Sequence, residues 1–113
     1  MTAPNDTNTI DREAVAAKLD EARALIERGW TQGDFARDGE GNPARIDRYA
    51  ACFCAVGALV AVDAEPEATP FLRDALGVCS ISFWNDAPER THAEVVEAFR
   101  RAAELARADQ VRS

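Results

Sequence analysis

Apolar residues recur at helical spacing in two well-separated stretches of the chain. Between positions 11 and 28, Val15, Leu19, Ala22, Leu25 and Ile26 share one face, while Lys18, Glu21 and Glu27 fall mostly elsewhere. That 3.6-residue repeat predicts an amphipathic helix with a single buried stripe. Asp11 stands where a carboxylate can accept from the unpaired amides of the first turn, and Gly29 where a left-handed residue closes a helix without steric cost. Near the other end, Val95, Val96, Phe99, Ala102, Ala103 and Ala106 repeat the pattern. Thr91 and Glu94 have the spacing of a capping box at its start, and the helix is expected to end near Arg107.

The middle of the chain carries a different pattern. No charge falls between Arg48 and Asp63. Tyr49, Cys52, Phe53, Val56, Leu59 and Val60 form a stripe of large residues, and Cys54, Gly57, Ala58 and Ala61 a second stripe of small ones. A helix apolar on two faces is a buried one, so a central helix is expected over about 48–62. Gly57 inside it costs ~1 kcal/mol relative to Ala, which close approach of a neighbouring backbone would offset. Thr69 followed by Pro70 signals the start of a short helix over about 70–76, stopped by Gly77. "VCSISF" (78–83) alternates apolar residues with serine and reads as one short extended segment. The glycine-rich stretch 29–46 reads as a long connection pinned by Trp30 and Phe35. The fold class expected is mainly α: a small helical bundle around the central helix 48–62. Residues 1–9 are expected to be a disordered tail, 10–108 a single helical domain and 109–113 a frayed end.

Composition narrows the partners. Against 13 basic residues stand 20 acidic ones, a net charge of -7. A nucleic-acid binder gains affinity by replacing phosphate counterions with Lys and Arg, so this balance argues against nucleic acid, and equally against anionic membranes. No apolar run reaches the ~18 residues of a membrane span. The first residues lack the basic-then-apolar order of a signal peptide. Three cysteines, an odd number, read as reduced thiols in a cytoplasm. A basic protein partner remains compatible with the charge.

Candidate chemistry is sparse. Cys52 and Cys54 lie two apart, pointing in nearly opposite directions on a helix, so they do not chelate one ion; no metal or other cofactor is expected. Asp34, Asp38 and Glu40 lack the spacing of a calcium loop. A thiol enzyme using Cys54 or Cys52 with His92 as base is one alternative, although His92 falls at the first position of the last helix, where a side chain faces solvent by default. Ser80 and Ser82 sit in no nucleophile elbow. "WNDAPERT" (84–91) draws attention through its Trp, Asn, Asp and Arg. Much of it reads as helix-entry chemistry: Asp86 as an N-cap with Glu89 reaching back for one turn, then the Thr91 cap, with Arg90 paired to an acid or stacked on Trp84.

Three blocks carry a resemblance: "GWTQG" at 29–33, C-x-x-G-A-L from Cys54 to Leu59, and W-N-D-x-x-x-R-T-x-x-x-V from Trp84 to Val95. Together they resemble a family of small bacterial proteins, largely actinobacterial, and phage proteins, a domain of unknown function. The resemblance spans about 11–106 and implies no activity or catalytic residue. It does imply that Trp84, Asn85, Asp86, Arg90, Thr91, Cys54 and Gly57 belong to a shared pattern, with Cys52 and Cys79 outside it. The function expected is a small acidic cytoplasmic interaction or accessory protein without catalysis. Its binding residues are expected to be Trp30, Gln32, Trp84, Asn85, Asp86 and Arg90. A small-molecule domain using Trp84 and Arg90 is the alternative.

Overall fold

The structure is a computed structural model that describes the backbone of residues 11–112 and side chains to position 108. The expected tail over 1–9 lies outside the described residues. Five helices and one two-stranded antiparallel sheet make up the described chain. In order they are α1 (Arg12–Arg28), β1 (Ala36–Arg37), β2 (Cys52–Phe53), α2 (Ala55–Ala61), α3 (Thr69–Leu76), α4 (Ile81–Asn85) and α5 (His92–Arg112). The class is mainly α, as the periodicity implies.

The two periodic stretches form the frame. In α1, Asp11 accepts from the Ala14 amide at 3.1 Å, and Val15, Ala16, Leu19, Ala22, Leu25 and Ile26 are buried. Opposite them, α5 buries Val95, Ala98, Phe99, Ala102, Ala103 and Ala106. Much of the buried surface between them is alanine, and Arg107 ties the two helices by reaching Glu13 at 3.1 Å and Asp20 at 3.0 Å. The capping box forms in full: the Glu94 amide donates to Thr91 Oγ1 at 3.2 Å, and the Thr91 amide to Glu94 Oε1 at 2.9 Å. Helix α5 runs on to Arg112, past the expected end near Arg107; nothing in "ADQVR" breaks a helix.

The expected central helix 48–62 is a correction. Only Ala55–Ala61 is helical, and Cys54 is its N-cap, with Sγ accepting from the Gly57 amide at 3.2 Å. The backbone before it pairs with the 29–37 connection instead. The Phe53 amide donates to the Gly29 carbonyl at 3.0 Å, the Thr31 amide to the Phe53 carbonyl at 3.0 Å, and the Cys54 amide to the Phe35 carbonyl at 3.1 Å. An uncharged apolar stretch satisfies either a buried helix or a buried extended segment, and periodicity alone does not separate them. Tyr49, placed on the buried stripe by helical spacing, is 88% exposed, whereas Phe53 is fully buried.

Two glycines are fixed by close approach. A Cβ on Gly57 would drive into the Phe35 carbonyl, the neighbouring backbone expected over the small stripe. A Cβ on Gly29 would strike the Ala51 carbonyl; Gly29 is extended (φ -175) rather than left-handed, and its amide still closes α1 on the Leu25 carbonyl. Gly77 stops α3 as expected, and it does so in the left-handed conformation, φ 68. That helix starts one residue earlier than expected: Ala68 is its N-cap, Thr69 is already helical, and Thr69 Oγ1 is buried without a partner among the described residues. The segment expected to be extended, 78–83, turns into α4, because Ser80 Oγ accepts from the Phe83 amide at 3.1 Å and caps a helical turn.

Candidate functional site

Helix α4 ends in Asn85, the only buried polar or charged side chain among the described residues. A side-chain amide has two acceptor and two donor sites, and here all four are used. Asn85 Oδ1 accepts from Trp30 Nε1 at 2.8 Å and from the Ala55 amide, the first residue of α2, at 3.0 Å. Asn85 Nδ2 donates to the Thr31 carbonyl at 3.2 Å and to Asp86 Oδ1 at 2.9 Å. One side chain thereby joins the segment after α1, the start of α2 and the end of α4.

The surrounding bonds extend the same junction. Gln32 Nε2 donates to the carbonyls of Asn85 at 2.9 Å and Ala87 at 2.8 Å, and the Gly33 amide donates to Asp86 Oδ1 at 3.1 Å. Asp86 is the C-cap of α4, not the N-cap of a further turn, and Glu89 does not reach back to it. The carboxylate is drawn away by the Gly33 amide, which was invisible in sequence because it lies 53 positions upstream. Arg37 braces the connection, donating to Thr31 Oγ1 at 2.8 Å and to the Gln32 carbonyl at 3.1 Å. Trp30 stacks on His92, ring centroids 6.0 Å apart, and His92 Nε2 bonds the Ile26 carbonyl at the end of α1.

Trp84 and Arg90 take the outer side. The Arg90 guanidinium lies over the Trp84 ring, 4.1 Å from its centroid. Its Nε donates to the Trp84 carbonyl at 2.9 Å, and it faces Glu94 at 3.4 Å. Both partnerships considered for Arg90, stacking and an ion pair, therefore occur together. The Thr91 amide holds the Glu94 carboxyl below its ordinary range. Trp84 and Arg90 border two hollows. The larger, about 610 Å³, is lined chiefly by Val78, Cys79, Phe83, Trp84, Pro88 and Arg90. The smaller, about 480 Å³, lies between α3 and α5 beside Ala75, Leu76 and Ala98.

A family model matches residues 11–105. The chain belongs to DUF6197, a family of unknown function. The DUF6197 match takes in α1 to α4 and both strands, and so every residue of the Asn85 junction. No curated protein and no solved structure matches the chain. Membership in DUF6197 assigns no chemistry, which leaves the site geometry to speak for function.

All six residues expected to bind are brought together, in two groups. Trp30, Gln32, Asn85 and Asp86 bond to one another or to adjoining backbone, while Trp84 and Arg90 pair on the surface side. Cys54 lacks the character of an activated nucleophile. Burial pushes the Cys54 thiol up from its ordinary value, against the smaller lowering effect of the Gly57 amide; a nucleophilic cysteine needs the opposite shift. No group of three or more His, Cys, Asp or Glu that could hold a metal ion occurs among the described residues, and no described helix is long and apolar enough to cross a membrane. The sequence pattern places Phe83 in an extended segment and gives no sign that its ring is 84% exposed. No local pattern signals a role for Arg37 either.

Proposed function

We propose that this protein is a cytoplasmic accessory protein without catalysis, which binds a partner protein through the face formed by Phe83, Trp84 and Arg90. The observation that carries the reading is Phe83: a large apolar ring, 84% exposed, at an apolar pocket of about 610 Å³. Leaving such a ring in water forgoes roughly 1.5–3 kcal/mol of burial free energy, and exposed aromatic residues with a neighbouring Trp and Arg are the usual anchors of interfaces. Tyr49 is as bare, but Phe83 adjoins a concave apolar surface. The Asn85 junction supports the same reading from beneath, because it fixes the end of α4 and so presents the face preorganised.

Affinity capture from a bacterial lysate tests this, with the wild-type chain and Phe83→Ser compared side by side. Phe83→Ser should melt at the wild-type temperature and lose the specific partner. Equal capture by both chains would overturn the assignment of the face. The pocket volume also falls within the ~300–1,000 Å³ of small-molecule sites, which keeps a ligand-binding reading as second. A ligand at 100 times its dissociation constant would raise stability by ~2.7 kcal/mol, so a metabolite panel that leaves the melting temperature unmoved counts against it.

A further inference from the structure

The charges around the Phe83 pocket are uneven. Its wall carries two carboxylates, Asp86 and Glu89, and one cation, Arg90. Arg90 is already matched by Glu94 at 3.4 Å and lies over the Trp84 ring. Asp86 accepts from the Gly33 amide and Asn85 Nδ2, both uncharged donors, and it has no ion pair among the described residues. Glu89 is exposed and has no hydrogen bond or ion pair among the described residues. The rest of the lining is mostly apolar, with Val78, Phe83, Trp84 and Pro88 its largest members. An apolar hollow with two unmatched carboxylates selects a cation attached to a hydrophobe. It disfavours an acidic partner, since like charges at an interface suppress association. The whole chain has the same sign, with net charge -7, so long-range attraction acts in the same direction.

We infer that the occupant of this face is a basic segment of a partner protein, which seats a large apolar side chain against Phe83 and Trp84 and directs Lys or Arg at Asp86 and Glu89. This rests on the binding reading above and specifies the chemistry of its partner. The apolar anchor supplies most of the affinity. The carboxylates supply orientation and salt-sensitive association, because exposed ion pairs contribute little alone. A two-fold pairing of this face with that of a second copy is the poorer occupant, because it would bring the same carboxylates together.

The test titrates the isotopically labelled full chain with two synthetic peptides of identical Leu and Trp content, one otherwise Lys and Arg, the other Glu, at ~0.15 M salt. Amide shifts should concentrate in residues 78–90 with the basic peptide and be absent with the acidic one. Phe83→Ser should weaken binding ~10-fold or more, and Glu89→Arg a few-fold, with less salt dependence. Equal binding of the two peptides overturns the charge inference while leaving the face intact, provided lysate capture still depends on Phe83. Shifts spread over Glu13, Asp20, Glu21 and Glu27 on α1 overturn it as general electrostatics. A dimer of the unliganded chain in sedimentation, abolished by Phe83→Ser, overturns it in favour of a second copy. Loss of both peptide binding and Phe83-dependent capture removes the inference and the binding reading together.

Discussion

The α1/α5 pair and the Asn85 junction hold the same molecule together by opposite physics. Between the helices, Leu19, Ile26, Phe99 and a row of alanines make contacts that carry no direction. Any side chain of similar volume and polarity fills such a space, at a cost usually below ~1.5 kcal/mol. At the junction, each bond of Asn85 has one donor, one acceptor and one geometry. No other side chain of that size presents two donors and two acceptors. The helix pair is therefore tolerant and the junction exacting, although both are buried.

The contrast is broken most sharply at Asn85 itself. Asn85→Leu keeps the approximate volume but strands the Ala55 amide and Trp30 Nε1, and should cost about 4 kcal/mol at ~1–3 kcal/mol per buried unsatisfied group; urea melts read this directly. Asn85→Asp, closer still in shape, loses both Nδ2 donor bonds and sets a second carboxylate beside Asp86, so it should also destabilise heavily and recover in part as the pH falls. By comparison Leu19→Ala should cost about 3 kcal/mol through the cavity it opens, whereas Leu19→Met should cost under ~1.5 kcal/mol. If Asn85→Asp were as mild as Leu19→Met, the junction would not be directional. Gly57→Ala should cost about 2 kcal/mol, because the Phe35 carbonyl must move.

Smaller effects sharpen the picture at the start of α5. Thr91→Ala should remove about 1 kcal/mol by opening the capping box. The partner carboxyl, Glu94, sits below its ordinary value in the folded chain, chiefly through the Thr91 amide. A depressed carboxyl stabilises fully above its unfolded pKa, and that contribution is lost as the pH falls through the folded one, on the acid side of the ordinary carboxylate range. Glu94→Gln should accordingly flatten the acid limb of the melting-temperature profile. The smallest expected change is Phe83→Ser, whose ring is mostly in water: unfolding should move by less than ~0.5 kcal/mol. A large loss there would place Phe83 in the core and remove it as a binding anchor.

How much was legible follows from the same contrast. Non-directional packing leaves a periodic trace, so α1, α5 and their caps at Asp11 and Thr91 could be read from spacing. Gly57 could be read as a close approach, though not as an approach by Phe35. Directed bonds between distant segments leave no periodic trace. The Trp30 to Asn85 bond joins positions 55 apart, and nothing near either residue announces the other. The charge-free stretch before Ala55 reads as helix for a related reason: its backbone is paired with residues 29–37, and pairing of that kind is not encoded in composition. The W-N-D block stood out because its residues are unusual together, yet the sequence did not show that Asn85 points inward while Trp84 stays at the surface.

The two indole N–H groups offer the most direct test. Trp30 Nε1 donates to the buried Asn85 Oδ1, whereas Trp84 Nε1 has no acceptor among the described residues. Hydrogen exchange of the two indole signals, assigned through Trp84→Phe, should show Trp30 protected nearly to the level of the α1/α5 amides and Trp84 exchanging quickly. In Asn85→Ala the Trp30 protection should collapse while the fast signal is unchanged. Two indoles exchanging at the same fast rate in the wild-type chain would contradict the junction, and with it the platform on which the Phe83 face is set.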